Sequence, residues 1–423
     1  MAMNALRERT GLLVTMLATW GLLACAVVGA EAQDKAKVEK KILGLDTVIH
    51  FYGLGAGMRS PTLVSSGDWQ SLKAKGIVAA SGSGHGMLKI PVPEAAEKHA
   101  KMDFGGNPHP VITVDEFGFD YDGQIDMRTA ETLRAIKKAR PGLGIAVWQM
   151  RGPVAPKLAA TYRDEVDLVM METYVSPEDI WCIAAQLKAA ELNGLGHKSV
   201  VGLGIGRCGR DHVNWARTKE ELQEQVRFIR MVAPTSPGLA FFGLPNGHYE
   251  YKGRVVPEVP ITLKEADEIA ARFREYPTDG TGLRPELKEL AEVFTRRYEE
   301  PAIICSTSWV YPNRDPDNWR KIVRPATFRA FMMNLGEVDA KNVILTLRMP
   351  ADRGGYVLAK GVVDIPAKST AVAVLPRVGD WEIWIGRWDN ELETTPVRAG
   401  DLEIEAPGCK ILNFRWTGSF WQE

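Results

Sequence analysis

From residue 47 to about residue 300 the chain alternates short apolar runs with longer amphipathic stretches, and this rhythm constrains the fold more than any other feature. Apolar runs of four to seven residues bounded by turn residues are too short for helices and read as strands buried on both faces. The stretches between them repeat apolar residues at three and four, the helical spacing. Alternating strands and helices build a parallel sheet, because each crossover helix returns the chain to begin the next strand in the same direction. Strands are predicted at 48–52, 77–80, 111–115, 145–149, 168–173, 200–205 and 239–243, with helices such as 127–139, 177–192 and 219–232 between them. An eighth strand is not legible, since 263–274 and 285–298 both carry helical spacing and nothing strand-like separates them. A domain of about 250 residues favours a TIM-type (β/α)8-like barrel, irregular where that strand is missing, over an open doubly wound sheet.

Beyond Pro301 the texture changes to alternating β-branched and aromatic runs broken by Pro and Gly, so a barrel domain at 46–300 is expected to be followed by a small all-β sandwich at 301–423. The pieces Asn334, Leu335, Gly336, then Ala340, Lys341, Asn342, Val343, then Val363, Asp364, Ile365, Pro366, Ala367 resemble the immunoglobulin-like modules appended to bacterial surface proteins and glycosidases. That resemblance spans about 90 residues, implies an immunoglobulin-like sandwich, and carries no catalytic group. Seven of the twelve tryptophans lie in this region. Trp381 and Trp384 differ by an odd number, so they face opposite sides of one strand, and the excess is expected to pack between the domains.

The first thirty residues read as a signal peptide. Arg7 and Arg9 precede an uncharged run over 11–30, and the polar linker 31–45 follows. Val28, Gly29 and Ala30 suit an ordinary cleavage site, whereas Leu22, Leu23, Ala24 and Cys25 resemble a bacterial lipobox whose cysteine would be lipidated. An uncleaved run of about 20 apolar residues could also anchor the chain in a membrane. The expected location is secreted, periplasmic or surface-anchored. Without Arg7, Arg9 and Glu8 the chain keeps 50 basic and 52 acidic residues, a net charge of −2 with no basic block, which argues against nucleic acid as a partner. The four remaining cysteines, Cys182, Cys208, Cys305 and Cys409, show neither close pairing nor metal spacing.

Reactive groups of parallel α/β domains gather where strands end. Val111, Ile112, Thr113 and Val114 lead into two adjacent carboxylates, Asp115 and Glu116. Simple alternation sends these to opposite sides of the strand. Leu168, Val169, Met170 and Met171 lead into Glu172, Thr173 and Tyr174. A carboxylate after four apolar residues is costly to bury without a reason. Two such acids suit the hydrolysis of a glycosidic bond, in which a protonated acid serves the leaving oxygen and an ionised partner acts on water or on the sugar. The expected catalytic set is Glu116 as general acid with Glu172 or Asp115 as the second carboxylate. Each acid could instead cap a helix or pair with an arginine. Trp148, Gln149, Tyr174, Arg207, Asn246 and His248, together with Arg151 and Tyr249, supply the rings, amides and guanidinium groups that bind sugars. Trp148 could equally be core, and His50 reads as an interior histidine.

This order, with Tyr52 and Gly53 after the first strand, 81–84 after the second, the acid pair after the third and 172–174 later, is similar in outline to chitinase-like glycoside hydrolases. That family places alternating aspartates before its acid, where this chain has Thr113 and Val114, so a substrate-assisted mechanism on an acetamido sugar is not implied. The resemblance is to barrel glycoside hydrolases as a class, over about 250 residues.

Other chemistries are weakly supported. Gly204, Gly206 and Gly209 satisfy G-x-G-x-x-G after a strand, but no helix opens at the third glycine. Asp120, Asp122 and Gly123 echo a calcium loop, yet Gly118 and Thr129 stand where that loop needs Asp and Glu. Asp126 suits a helix cap. The histidines form no zinc motif, and no G-x-S-x-G elbow supports an esterase. No cofactor is expected. The expected function is an exported glycoside hydrolase acting on a poly- or oligosaccharide, and the alternative is a non-catalytic carbohydrate-binding or cell-surface interaction protein using the same cleft.

Overall fold

The computed structural model describes residues 42–52, 59–65, 73–74, 76–82, 90–107, 109–117, 124–149, 153–175, 179–205, 218–243, 249–251, 254–256, 261–314, 322–348, 357–376, 378, 387–388, 391–392, 396–397 and 402–414. The signal segment, most of the loops that follow the barrel strands, and Trp319, Trp381, Trp384, Trp416 and Trp421 lie outside them. Ile42–Glu423 forms one compact unit.

Eight parallel strands close into a barrel: β1 (Val48–Tyr52), β2 (Leu63–Ser65), β3 (Val78–Gly82), β4 (Val111–Phe117), β5 (Gly144–Gln149), β6 (Leu168–Glu172), β7 (Ser199–Ile205) and β8 (Gly238–Gly243). Pairing of β1 with β8, from Val48 opposite Gly238 to Tyr52 opposite Phe242, completes the ring and excludes the open sheet. The strand missing from the sequence pattern is β2, near the start of the domain rather than its end. It has three residues, Leu63, Val64 and Ser65, too few to show a period. Residues 263–271 and 285–295 are helices, as their spacing predicts.

Around the barrel run α1 (Val92–Ala100), α2 (Gln124–Ala139), α3 (Pro156–Glu165), α4 (Trp181–Leu192), α5 (Lys219–Val232), α6 (Leu263–Ala271) and α7 (Pro285–Thr295). Helix α2 begins three residues before the expected start, so Asp126 sits inside its first turn and is not the cap. Thr218 and Thr262 cap α5 and α6 through reciprocal bonds with Glu221 and Glu265. Ile49, Phe51, Ile112, Val114, Ile145, Val147, Val169, Met171, Val201, Leu203, Leu239 and Phe241 face the helices. The alternate positions fill the lumen with Val48, Leu63, Val78, Val111, Ala146, Trp148, Leu168, Met170, Val200 and Ala240.

Two devices close the base. Ile42 sits in the lumen core with Leu43 and Leu45 packed against it, and paired backbone bonds between Ile42 and Leu45 hold that turn. At the β1/β8 seam a Cβ on Gly238 would lie 1.7 Å from the Val48 carbonyl oxygen, so only glycine lets the strands meet. Arg274 staples the same seam, donating to Thr47 Oγ1 and to the carbonyls of Asp46, Ser236 and Pro237.

The remaining strands pair antiparallel except β20 (Lys410–Ile411), which runs parallel to the first strand of the all-β module; β9 (Tyr249–Tyr251) pairs with β10 (Arg254–Val256) and β16 (Arg387–Trp388) with β17 (Glu391–Leu392). β11 (Ala302–Arg314), β12 (Ile322–Asn334), β15 (Ser369–Leu375) and β18 (Pro396–Val397) form one sheet, and β13 (Ala340–Arg348), β14 (Val357–Ile365) and β19 (Leu402–Glu405) form another. Their shared core includes Ile303, Ala330, Met332, Val343, Leu345 and Ala373. The opposite face of the first sheet, with Ala302, Ile304, Phe331 and Met333, belongs to the same core as the barrel helices. A sheet covered on both faces explains why Ala330, Phe331, Met332 and Met333 run without a polar break. Phe414 completes the seam by stacking on Trp181 of α4 and Phe294 of α7, each at 5.2 Å.

The motif around Asn334 is a hydrogen-bond hub. Its buried carboxamide accepts from the N–H groups of Ala302 and Gly336 and donates to the carbonyls of Val338, Ile365 and Pro366. Cys182 and Cys409 are free thiols.

Candidate active site

Strand parity decides which side chains reach the open, C-terminal end of the barrel. In β4, Ile112 and Val114 face the helices and Val111 faces the lumen, so Thr113 continues the inward series, and half-buried Asp115 follows it at the strand end. The register against β5 then shifts. Val114 opposes Val147 and Phe117 opposes Gln149, so three steps on β4 meet two on β5. An extra residue is absorbed at Asp115 and Glu116, and alternation does not carry across such a bulge. The expectation that the two carboxylates point to opposite sides rests on unbroken alternation and loses its basis here. The Glu116 side chain lies outside the described residues.

In β6, Leu168 and Met170 face the lumen and Glu172 ends the inward series, half-buried and opposite Gly202 of β7. One strand intervenes between β4 and β6, placing their axes about 10 Å apart along the sheet. The Glu172 level continues through Gly202 and Ala240 to His50, a row with almost no side-chain volume between the acid and the imidazole.

Trp148 occupies that space. A Cβ on Gly202 would lie 2.4 Å from its Cζ3, and its ring meets His50 edge-on with centroids 5.3 Å apart. At 1% exposure Trp148 is lumen packing and forms a floor beneath the acids, so its faces are not open as a sugar platform. Burial of His50 in this layer pushes its pKa down to about 3, keeping the imidazole neutral at physiological pH. Gln149 has the parity of Val147 and points outward. It is fully buried and accepts a hydrogen bond from the Tyr162 hydroxyl of α3, which removes it from the expected sugar-binding set.

Above the floor, half-buried Tyr174 stacks on half-buried Phe242 with centroids 5.3 Å apart and planes 24° apart. The two rings come from β8 and from the segment after β6. They meet across β7, whose residue opposite Phe242 is Gly204. Gly204, the first glycine of the Gly-rich run, lies inside β7 and not in the strand-to-helix turn that a dinucleotide fingerprint requires, while Gly206 and Gly209 lie outside the described residues. Phe242 is missing from the sequence-derived site, although its spacing of two from Ala240 marks it as inward.

Arg151, Arg207, Asn246, His248 and the partial calcium loop lie outside the described residues, and Tyr249 is described only as backbone of the hairpin strand β9 (Tyr249–Tyr251). Among the described residues no group of three or more His, Cys, Asp or Glu side chains could hold a metal ion.

The fold and these strand ends define an eight-stranded α/β barrel joined to an all-β module, with a carboxylate at the ends of β4 and β6. No known family profile matches the chain, and neither does any curated protein sequence. Solved structures similar to it include a glucosidase, a xylanase core and a chitinase. A glucosidase from Croceicoccus marinus shares 12% identity at a TM-score of 0.32, covering 79% of this chain and 96% of its own. The catalytic core of a xylanase A shares 11% at 0.36, covering 54% and 97%. A chitinase from Bacillus thuringiensis shares 8% at 0.34, covering 78% and 83%. The barrel assignment itself rests on the strand pairing.

Proposed function

We propose that the protein is an exported glycoside hydrolase that cleaves a poly- or oligosaccharide with carboxylates at the ends of β4 and β6. The supporting observation is that Asp115 and Glu172, distant in sequence, are both half-buried at the open end of a barrel closed at its base, with Glu172 continuing the inward series of β6. The floor of Trp148 and neutral His50 presents no positive charge from below, so the carboxyl groups sit over an apolar, uncharged layer.

In this reading Glu116 is the acid that gives its proton to the glycosidic oxygen as the bond to the anomeric carbon breaks. Glu172 or Asp115 either takes a proton from the attacking water or adds to the anomeric carbon itself. The two routes differ in the configuration of the first-formed sugar, which proton NMR reads directly. Tyr174 and Phe242 provide the apolar surface against which a pyranose ring lies. Export follows from the 1–30 segment, with Cys25 as the lipid-bearing residue if the lipobox is used.

The test is release of reducing sugar from a broad polysaccharide panel by the mature protein, beside mass spectrometry of its N-terminus from a bacterial host. Hydrolysis of at least one glycan and an N-terminus near residue 31, or a lipidated Cys25, are expected. Glycan binding without cleavage would turn the same cleft into that of a carbohydrate-binding protein.

A further inference from the structure

Two glutamines in the helix layer converge on one short segment of the barrel rim. Gln186 of α4 is 2% exposed and donates from Nε2 to the Glu172 carbonyl at 3.2 Å. Gln225 of α5 is 1% exposed and donates from Nε2 to the Val175 carbonyl at 3.3 Å. Their helices are otherwise apolar on this side, with Ile183, Leu187 and Ala190 around Gln186 and Leu222, Val226 and Ile229 around Gln225. Burying an amide in such a layer is unfavourable unless its bonds are needed where it sits.

The need is visible in the backbone. The β6 ladder to β7 ends with Glu172 opposite Gly202, and one further bond, Thr173 N–H to the Gly202 carbonyl, holds the next residue. Beyond that point the chain stays in alternating register. Thr173 and Val175 are buried, whereas Glu172 and Tyr174 are half-buried on the site side. Carbonyls at a strand end have lost their sheet partners and must find others. Here the two glutamine amides supply them, one at each end of the four-residue segment. Thr173 Oγ1 to the Met171 carbonyl and Val175 N–H to the Thr173 carbonyl brace its middle.

We infer that Gln186 and Gln225 are positioning residues. They lock the peptide planes on either side of Glu172 and Tyr174, so that the carboxylate and the ring enter the site in one orientation. This rests on the hydrolase reading for its catalytic consequence, but the lock itself does not. A shift of about 1 Å at a reacting group lowers turnover by up to about 100-fold.

The variants are Gln186→Met and Gln225→Met, which keep side-chain length and apolar volume and remove the amide. Should either fail to fold, Gln186→Asn and Gln225→Asn keep the amide but withdraw it by one methylene. Amide exchange of residues 173–175, read by mass spectrometry, is expected to accelerate roughly tenfold, with 168–171 of β6 unchanged. On a glycan cleaved by the wild type, kcat should fall about 10- to 100-fold with KM within about threefold. Unchanged exchange in 173–175, or faster exchange spread evenly over β6 and α4 with kcat per folded molecule intact, overturns the inference. If the wild type cleaves no glycan, the hydrolase reading falls, and the glutamine lock is judged on exchange alone.

Discussion

His50 shows how a single residue ties the site to the stability of the barrel. Folded, it stays neutral down to about pH 3, whereas an unfolded histidine takes up its proton near 6.5. Between those values the unfolded chain binds the extra proton, so this group's contribution to stability is complete above 6.5 and is lost as the pH falls toward 3. The loss is about 1.4 kcal/mol per pH unit within that window. Urea unfolding at pH 7 and pH 5 should therefore show wild type losing about 2 kcal/mol more than His50→Gln. Equal losses would mean that the imidazole is hydrated and not sealed under Trp148. At this scale the sequence was legible where parity is unbroken: four apolar residues ending in an acid predict that Glu172 closes a strand, and it is the last residue of β6. It was not legible at Asp115 and Glu116, because a register shift is set by the neighbouring strand and leaves no local mark. Nor could sequence spacing show that Gly202 makes room for a tryptophan two strands away.

Among the elements, the antiparallel module depends on Asn334. Five hydrogen bonds join it to the starts or ends of β11, β12 and β14 and to the turn at Val338. Asn334→Ala leaves buried N–H and carbonyl groups unsatisfied and is expected to cost about 2–4 kcal/mol, read as a lower denaturant midpoint. Asn334→Asp should do no better, since a carboxylate cannot donate to the three carbonyls. Asn334, Gly336, Ile365 and Pro366, four of the residues that carry the resemblance noted from sequence, are joined in this one network. Strands of five to seven residues announced themselves as short, largely apolar runs bounded by turn residues. β2 did not, because three residues cannot establish a pattern and its identity comes from pairing with β1 and β3.

For the whole molecule, the sharp change of texture at Pro301 predicts two domains with apolar packing between them, and the hydrophobic core runs continuously across that boundary. Ile304, Phe331 and Met333 share a cluster with Trp181, Leu187, Ala291 and Phe294, and Phe414 lies between two barrel helices. Thr370 also bonds Asn193, the residue that ends α4. A chain cut after Glu300 would expose several large apolar side chains, each contributing about 1.5–3 kcal/mol when buried. The isolated barrel is expected to aggregate or to bind a hydrophobic dye without a cooperative thermal transition, whereas the longer chain melts as one unit. Two independent transitions in the full chain would contradict a shared core. Packing between the domains was legible in the sequence, but the residues that form the seam were not, because it is made by one face of strands whose other face is also apolar.

The central claim, hydrolysis by strand-end carboxylates, is tested most directly by kcat on a cleaved glycan for Glu116→Gln, Glu172→Gln and Asp115→Asn, each with its far-ultraviolet spectrum and melting point beside wild type. Loss of about 100- to 10,000-fold in Glu116→Gln and in at least one of the other two, with folding unchanged, is the expected result. Turnover within threefold of wild type in all three folded variants would place the chemistry elsewhere and contradict the assignment.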